Sequence, residues 1–131
     1  MSAESIFRLR VYYEDTDVSG VVYHANYLRW FERARTEWLR ALALGQEELR
    51  VTEGVAFTVA NLSIDYLKPA RLDDELQVMT VISEMGRASL GFSQRVQRAG
   101  ELLARAQVRV GCVDAASFKP RRLPAGVKWN A

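Results

Sequence analysis

The chain has 131 residues, 49% of them apolar, and carries 18 Lys and Arg against 16 Asp and Glu, a formal charge of +2 at pH 7. That length can bury roughly two-thirds of the unfolded surface without a disulfide or metal staple, so one domain over residues 1–131 is expected. The basic residues are scattered among acids, which argues against a nucleic-acid surface, and one Cys with one His excludes an intramolecular disulfide and a Cys/His zinc site.

The start, MSAESIFRLR, lacks the apolar run of a secretory signal, and no later stretch approaches the ~18 apolar residues of a membrane span, so a cytoplasmic protein is expected. From Ile6 to Tyr13 the chain alternates, with Phe7, Leu9, Val11 and Tyr13 on one side and Arg8 and Arg10 on the other, the pattern of a half-buried strand. A polar stretch, Glu14 to Gly20, ends that strand. After it Leu28, Phe31, Ala34, Arg35, Trp38, Leu39 and Leu42 recur at helical spacing, which predicts one long helix. Asn26 is the expected N-cap, and Gly45 the expected left-handed stop. Phe31 and Trp38 on that stripe are read as core.

Four strands follow. Val55, Phe57 and Val59 are odd-numbered and Leu62, Ile64 and Tyr66 even-numbered, so a bulge near Ala60-Asn61 is needed to keep both halves on one core. Leu76, Val78 and Ile82 mark the next strand, and Leu90, Phe92 and Val96 the one after the turn at Gly86-Arg87. After Ala99-Gly100, Leu102, Ala104, Ala106, Val108, Val110 and Cys112 alternate with Arg105, Gln107 and Arg109. In that phase Cys112 is an inert core thiol. Short turns between strands imply an antiparallel sheet and an α+β fold. One helix covers one face of such a sheet, so pairing with a second copy is expected.

The segment with chemical content runs from Tyr12 to Tyr27, from a strand end through a loop into a helix start. First-turn amides lack intrahelical acceptors and suit a polarised carbonyl, and a loop carboxylate can attack that carbonyl or activate water against it. Other readings remain open on the residues alone. Asp15-x-Asp17-x-Ser19-Gly20 matches the opening of a calcium loop, although its twelfth position is Asn26 rather than Glu. The same residues are ordinary turn formers. His24 is either a partner of Asp17 or a capping and packing residue.

The run YYEDTDVSGVVYHANYLRWFERARTEWL resembles the hotdog-fold acyl-CoA thioesterases of the 4-hydroxybenzoyl-CoA thioesterase-like family, and most closely the YbgC-type subgroup associated with Tol-Pal systems. VAFTVANLSIDYLKPARLDD, GRASLGFSQRV and CVDAASFKPRRLP extend the likeness over nearly the whole chain. The resemblance implies an antiparallel sheet wrapped round the long helix, with active sites at the interface of a homodimer or homotetramer. It places the catalytic carboxylate on Asp17, the carbonyl-polarising amide on His24, whose side chain is also proposed to take part, a supporting tyrosine on Tyr13 and the helix-starting Asn on Asn26. Val18 stands where benzoyl-CoA relatives have proline, which speaks against an aromatic acyl group.

The expected activity is hydrolysis of small to medium acyl-CoA thioesters without a metal or redox cofactor. Arg71, Arg87, Lys119, Arg121 and Arg122, in turns or the tail, are candidates for the phosphates of CoA. Asn61, at the inferred bulge, is a further substrate-binding candidate. Two alternatives stand beside this reading: a module that binds acyl thioesters or an acyl carrier protein, and a hotdog enoyl-thioester hydratase or dehydratase.

Overall fold

The computed structural model describes residues 4–127, and its elements follow the changes of hydrophobic period along the chain. Strand β1, Ser5–Arg10, half-buries Phe7 and Leu9 and exposes Arg8 and Arg10. It stops earlier than the alternation predicts. The Asp15 carboxylate accepts the Tyr12 amide at 2.8 Å and the Asp15 amide donates to the Tyr12 carbonyl at 3.0 Å, which closes a 3₁₀ turn over Tyr13–Asp15. Tyr13 is therefore 81% exposed instead of continuing the inward face.

Helix α1, Asn26–Ala41, buries Tyr27, Trp30, Phe31, Ala34, Trp38 and Leu39. Leu28, expected inside, is exposed, because the buried stripe runs through Tyr27 and a residue one position on is turned by about 100°. The helix ends in a Schellman motif. The Leu44 amide returns to Leu39 and the Ala43 amide to Arg40, with Ala43 rather than Gly45 in the left-handed region. Gly45 is extended and leads into a second, unpredicted helix, α2, Gln46–Glu53, which Gly54 closes at φ +67°.

Strands β2 (Val55–Tyr66), β3 (Glu75–Met85), β4 (Ser89–Arg98) and β5 (Glu101–Asp114) complete one antiparallel sheet in the order β1-β3-β4-β5-β2. The β2 register shifts between Val59 and Asn61, so Ala60 is the extra residue that brings both apolar phases to one side, as expected. A second shift, between Val96 and Gln97, was not foreseen. It turns Leu103 fully inward and leaves Leu102 half-buried, and the Leu103 carbonyl accepts the Leu67 and Lys68 amides at 2.8 and 3.0 Å.

The core lies between α1 and the sheet, where Trp38 meets Phe92 edge-on at 5.3 Å. Cys112 is buried, and burial pushes its thiol up from the ordinary value. Within the core sits a polar group. Thr80 and Gln94, cross-strand partners on β3 and β4, are fully buried, and Gln94 donates to the Phe31 carbonyl at 3.0 Å and to Thr80 Oγ1 at 2.9 Å. Among the described residues no helix is long and apolar enough to cross a membrane.

Candidate active site

The loop between β1 and α1 folds back on itself. Thr16 bridges Val22, the Asp17 amide donates to Val21 at 2.9 Å, and Gly20 takes φ +83° at the tip. Asp17 Oδ1 accepts both the Ser19 amide, at 2.8 Å, and the Ser19 hydroxyl. These bonds, the hydroxyl first, hold the exposed carboxyl below its usual range, and an aspartate is ionised at neutral pH in either case. The base of the loop is pinned to the segment after β2: Val22 donates to the Ala70 carbonyl at 2.9 Å and Val21 bridges Arg71.

Asn26 is buried as the first residue of α1. It is not the accepting cap expected; its side-chain amide donates to the Asp15 carbonyl at 2.9 Å and braces the loop against the helix. Ahead of it, the amides of His24 and Ala25 have no acceptor among the described residues and stand at the positive end of the helix dipole. The His24 carbonyl is held by the Tyr66 hydroxyl at 2.9 Å. Burial, then the neighbouring Tyr27, raises the Tyr66 pKa, which keeps that donor protonated. The His24 ring lies beside Tyr23 and Tyr66, at centroid distances of 4.6 and 6.2 Å. A cleft of about 270 Å³ opens here, lined by His24, Tyr27, Tyr66 and Lys68 among others.

Asp17 does not line this cleft, and no hydrogen bond joins it to His24 among the described residues. Tyr13 is anchored by its carbonyl, which accepts the Thr16 amide and hydroxyl, and its exposed ring makes no hydrogen bond to Asp17. Asp15 and Asp17 turn their carboxylates to separate local partners, Tyr12 and Ser19. Arg71 is exposed at the loop base, with no ion-pair partner for its guanidinium among the described residues.

Asn61 follows the β2 bulge and is exposed opposite Arg109. Arg87 lies past the far end of β3, whose 11 residues span roughly 35 Å at about 3.3 Å per residue. Its carbonyl accepts the Leu123 amide, which brings Arg87 beside the tail that carries Lys119, Arg121 and Arg122. Arg121 is engaged by Asp114 at 2.8 Å and by the Glu53 carbonyl. Tyr66 was missed as a site residue. Its place in the alternation of β2 marked it only as a strand residue, and its partner His24 is 42 positions away.

The profile of the thioesterase-like superfamily matches residues 11–130. This chain belongs to that superfamily. The thioesterase is 51% identical over 122 residues to the acyl-CoA thioesterase YbgC of Haemophilus influenzae, covering 93% of this chain and 90% of that relative. It is 49% identical over 126 residues to the acyl-CoA thioester hydrolase YbgC of Escherichia coli, with 94% and 93% covered. The crystal structure of a probable thioesterase from Bartonella henselae superposes with a TM-score of 0.89 at 38% identity, over 93% of this chain and all of that one. The thioesterase has the α+β hotdog architecture expected from the resemblance, its antiparallel sheet wrapped about α1.

Proposed function

We propose that this thioesterase hydrolyses small to medium acyl-CoA thioesters to the free acid and CoA, acting in the cytoplasm as a homodimer or homotetramer of single-domain chains. The observation that carries the reading is the start of α1, where the amides of His24 and Ala25 have no acceptor among the described residues, His24 lines a cleft and Tyr66 holds the His24 carbonyl. A thioester oxygen seated on the His24 amide gains hydrogen bonding as negative charge develops on it. Asp17, ionised, attacks the carbonyl carbon or takes a proton from the water that does. On the water route the tetrahedral oxyanion collapses, the C–S bond breaks, and the proton taken by Asp17 passes to the leaving thiolate, giving the free acid and CoA. On the direct route the same collapse releases a thiolate that solvent protonates and leaves an Asp17 mixed anhydride, which water then hydrolyses to the free acid and the Asp17 carboxylate. Tyr13 supports the acid through the loop, its carbonyl holding the Thr16 amide and hydroxyl, and Asn26 acts through the loop it braces.

Each site draws on two copies in this reading. Asp17 does not line its own chain's His24 cleft, and Arg87 with Lys119 and Arg122 lies at the other end of the same chain's sheet. Strand β2, 12 residues long and an edge of the sheet, offers the unpaired backbone for a second copy, with Val59 half-exposed on it. Cations of one copy then hold the phosphates of a CoA whose thioester meets Asp17 of another. Arg71 and Asn61 are assigned to substrate contacts nearer the acyl end, and an acyl carrier protein is the alternative bearer of the thioester.

The test is thiol release from a panel of acyl-CoAs. Asp17→Asn is expected to lose at least about a hundredfold in kcat. Asp15→Asn keeps much more, because an amide oxygen there still accepts the Tyr12 amide. Equal rates for wild type and Asp17→Asn would sink the mechanism. Hydration of an enoyl-CoA without thiol release, or tight binding with negligible turnover, would replace the hydrolase reading with a hydratase or a binding module.

A further inference from the structure

A second cleft, of about 130 Å³, lies between α1, the start of α2 and the sheet. Leu39, Phe57, Leu90 and Phe92 form its apolar wall, and Glu32, Arg35 and Thr36 bring polar groups to it from α1. Arg35 is the unusual member. It is 8% exposed, and its Nη1 donates to Gln94 Oε1 at 3.0 Å, with Gln94 held in turn by Phe31 and Thr80. No carboxylate lies within ion-pair distance of it among the described residues.

A guanidinium has five N–H donors, and Gln94 takes one. No fully sealed side-chain nitrogen or oxygen in the described residues lacks a partner, so Arg35 Nε and Nη2, which make no hydrogen bond among those residues, keep contact with solvent, and Arg35 lines the cleft. A cation withdrawn from water without a counter-ion is costly, and an oxygen acceptor in the cleft offsets that cost. Glu32, one turn earlier and exposed, is loosely engaged by the Thr36 hydroxyl at 3.4 Å and leaves an acceptor on the rim.

The cleft also lies along α1 from the proposed site. His24 precedes α1 and Arg35 comes 11 positions later, roughly 16 Å along the axis at about 1.5 Å per residue. The arginine side chain leans back toward the helix start and shortens that gap. Strand β2 leads from Tyr66, bonded to His24, to Phe57 in the wall of the second cleft. We infer that Arg35, set by Gln94, is a specificity-determining residue that selects medium-length acyl groups bearing an oxygen acceptor, a hydroxyl or a carboxylate, at the end remote from the thioester. This inference rests on the hydrolase reading above and names the acyl class for the same site.

The experiment compares kcat/KM for octanoyl-CoA, 8-hydroxyoctanoyl-CoA and octanedioyl-CoA with wild type, Arg35→Met and Arg35→Lys. Wild type is expected to favour at least one oxygen-bearing substrate over octanoyl-CoA by about tenfold or more, since a site with unpaired donors discriminates against the analogue that lacks the acceptor. Arg35→Met removes that preference while octanoyl-CoA turnover persists, and Arg35→Lys retains part of it. Preference for octanedioyl-CoA alone assigns the acceptor as a carboxylate; preference for both assigns any oxygen. Octanoyl-CoA turned over by wild type as well as the other two, or a preference that survives Arg35→Met, overturns the inference. Should Arg35→Met fail to fold, the wild-type ratios and Arg35→Lys decide. Absence of turnover on all three with wild type removes the hydrolase reading and this inference with it, whereas turnover without preference removes only the inference.

Discussion

Ser19 extends to lower pH the range in which the proposed acid stays ionised. Its hydroxyl and amide both bind Asp17 Oδ1 and lower the carboxyl from the ordinary value of 3.8, with the hydroxyl the larger cause. A lowered pKa means that the ionised form persists to more acid pH, so the acid limb of kcat/KM is expected below the ordinary aspartate value. Ser19→Ala keeps the backbone donor and loses the hydroxyl, so the limb moves up toward 3.8 while the rate at pH 7 changes little; a pH–rate profile that does not move would refute the coupling. The same sign governs stability: any contribution from the ionised Asp17 is present above the unfolded pKa and fades as pH falls through the folded one. Asp17 is proposed through the resemblance, since on the residues alone Asp-x-Asp-x-x-Gly is equally a turn. The roles of Asn26 and Tyr66 were not legible, since an accepting cap and a bracing donor look alike in sequence, and Tyr66 meets His24 only through the path of β2.

Between elements, Gln94 links β4 to β3 through Thr80 and to α1 through Phe31 and Arg35. Gln94→Leu leaves a buried guanidinium, a carbonyl and a hydroxyl each short of a partner, and is expected to destabilise by at least about 1–3 kcal/mol, read as a lower urea midpoint. Thr80→Val costs less, because the Gln94 amide keeps the Phe31 carbonyl. The position was half legible: residue 94 falls in the same phase as Leu90, Phe92 and Val96, so alternation places a glutamine in the core, but its partners depend on strand register. Strand β2 shows the opposite case. The switch of apolar parity across Ala60 requires a bulge wherever the strand pairs, and deletion of Ala60 is expected to drive either Phe57 or Leu62 and Ile64 to the wrong face. Loss of cooperative urea unfolding, followed by far-UV circular dichroism, checks it; a cooperatively folded deletion mutant would show the bulge to be dispensable.

For the whole molecule, the proposal that sites are shared predicts complementation. Asp17→Asn and the double variant Arg87→Ala/Arg122→Ala are each expected to be poor enzymes at low substrate. When co-refolded, half the dimers of a random mixture are mixed and one of their two sites is intact, so about a quarter of wild-type activity returns; no recovery would mean that each chain works alone. The local content of the chain was decided by sequence: where the period changes from two to 3.6, where Ala60 must bulge, and which acidic loop leads into a helix start. Those signals hold between neighbours in the chain, where side-chain direction is set by backbone geometry alone. The tertiary structure decided that Tyr66 steadies His24, that Arg35 has Gln94 for a partner where a carboxylate would be expected, and that Arg87 joins the tail far from Asp17. Such pairings join residues tens of positions apart, and they follow from strand order and register, which the alternation of one strand does not contain.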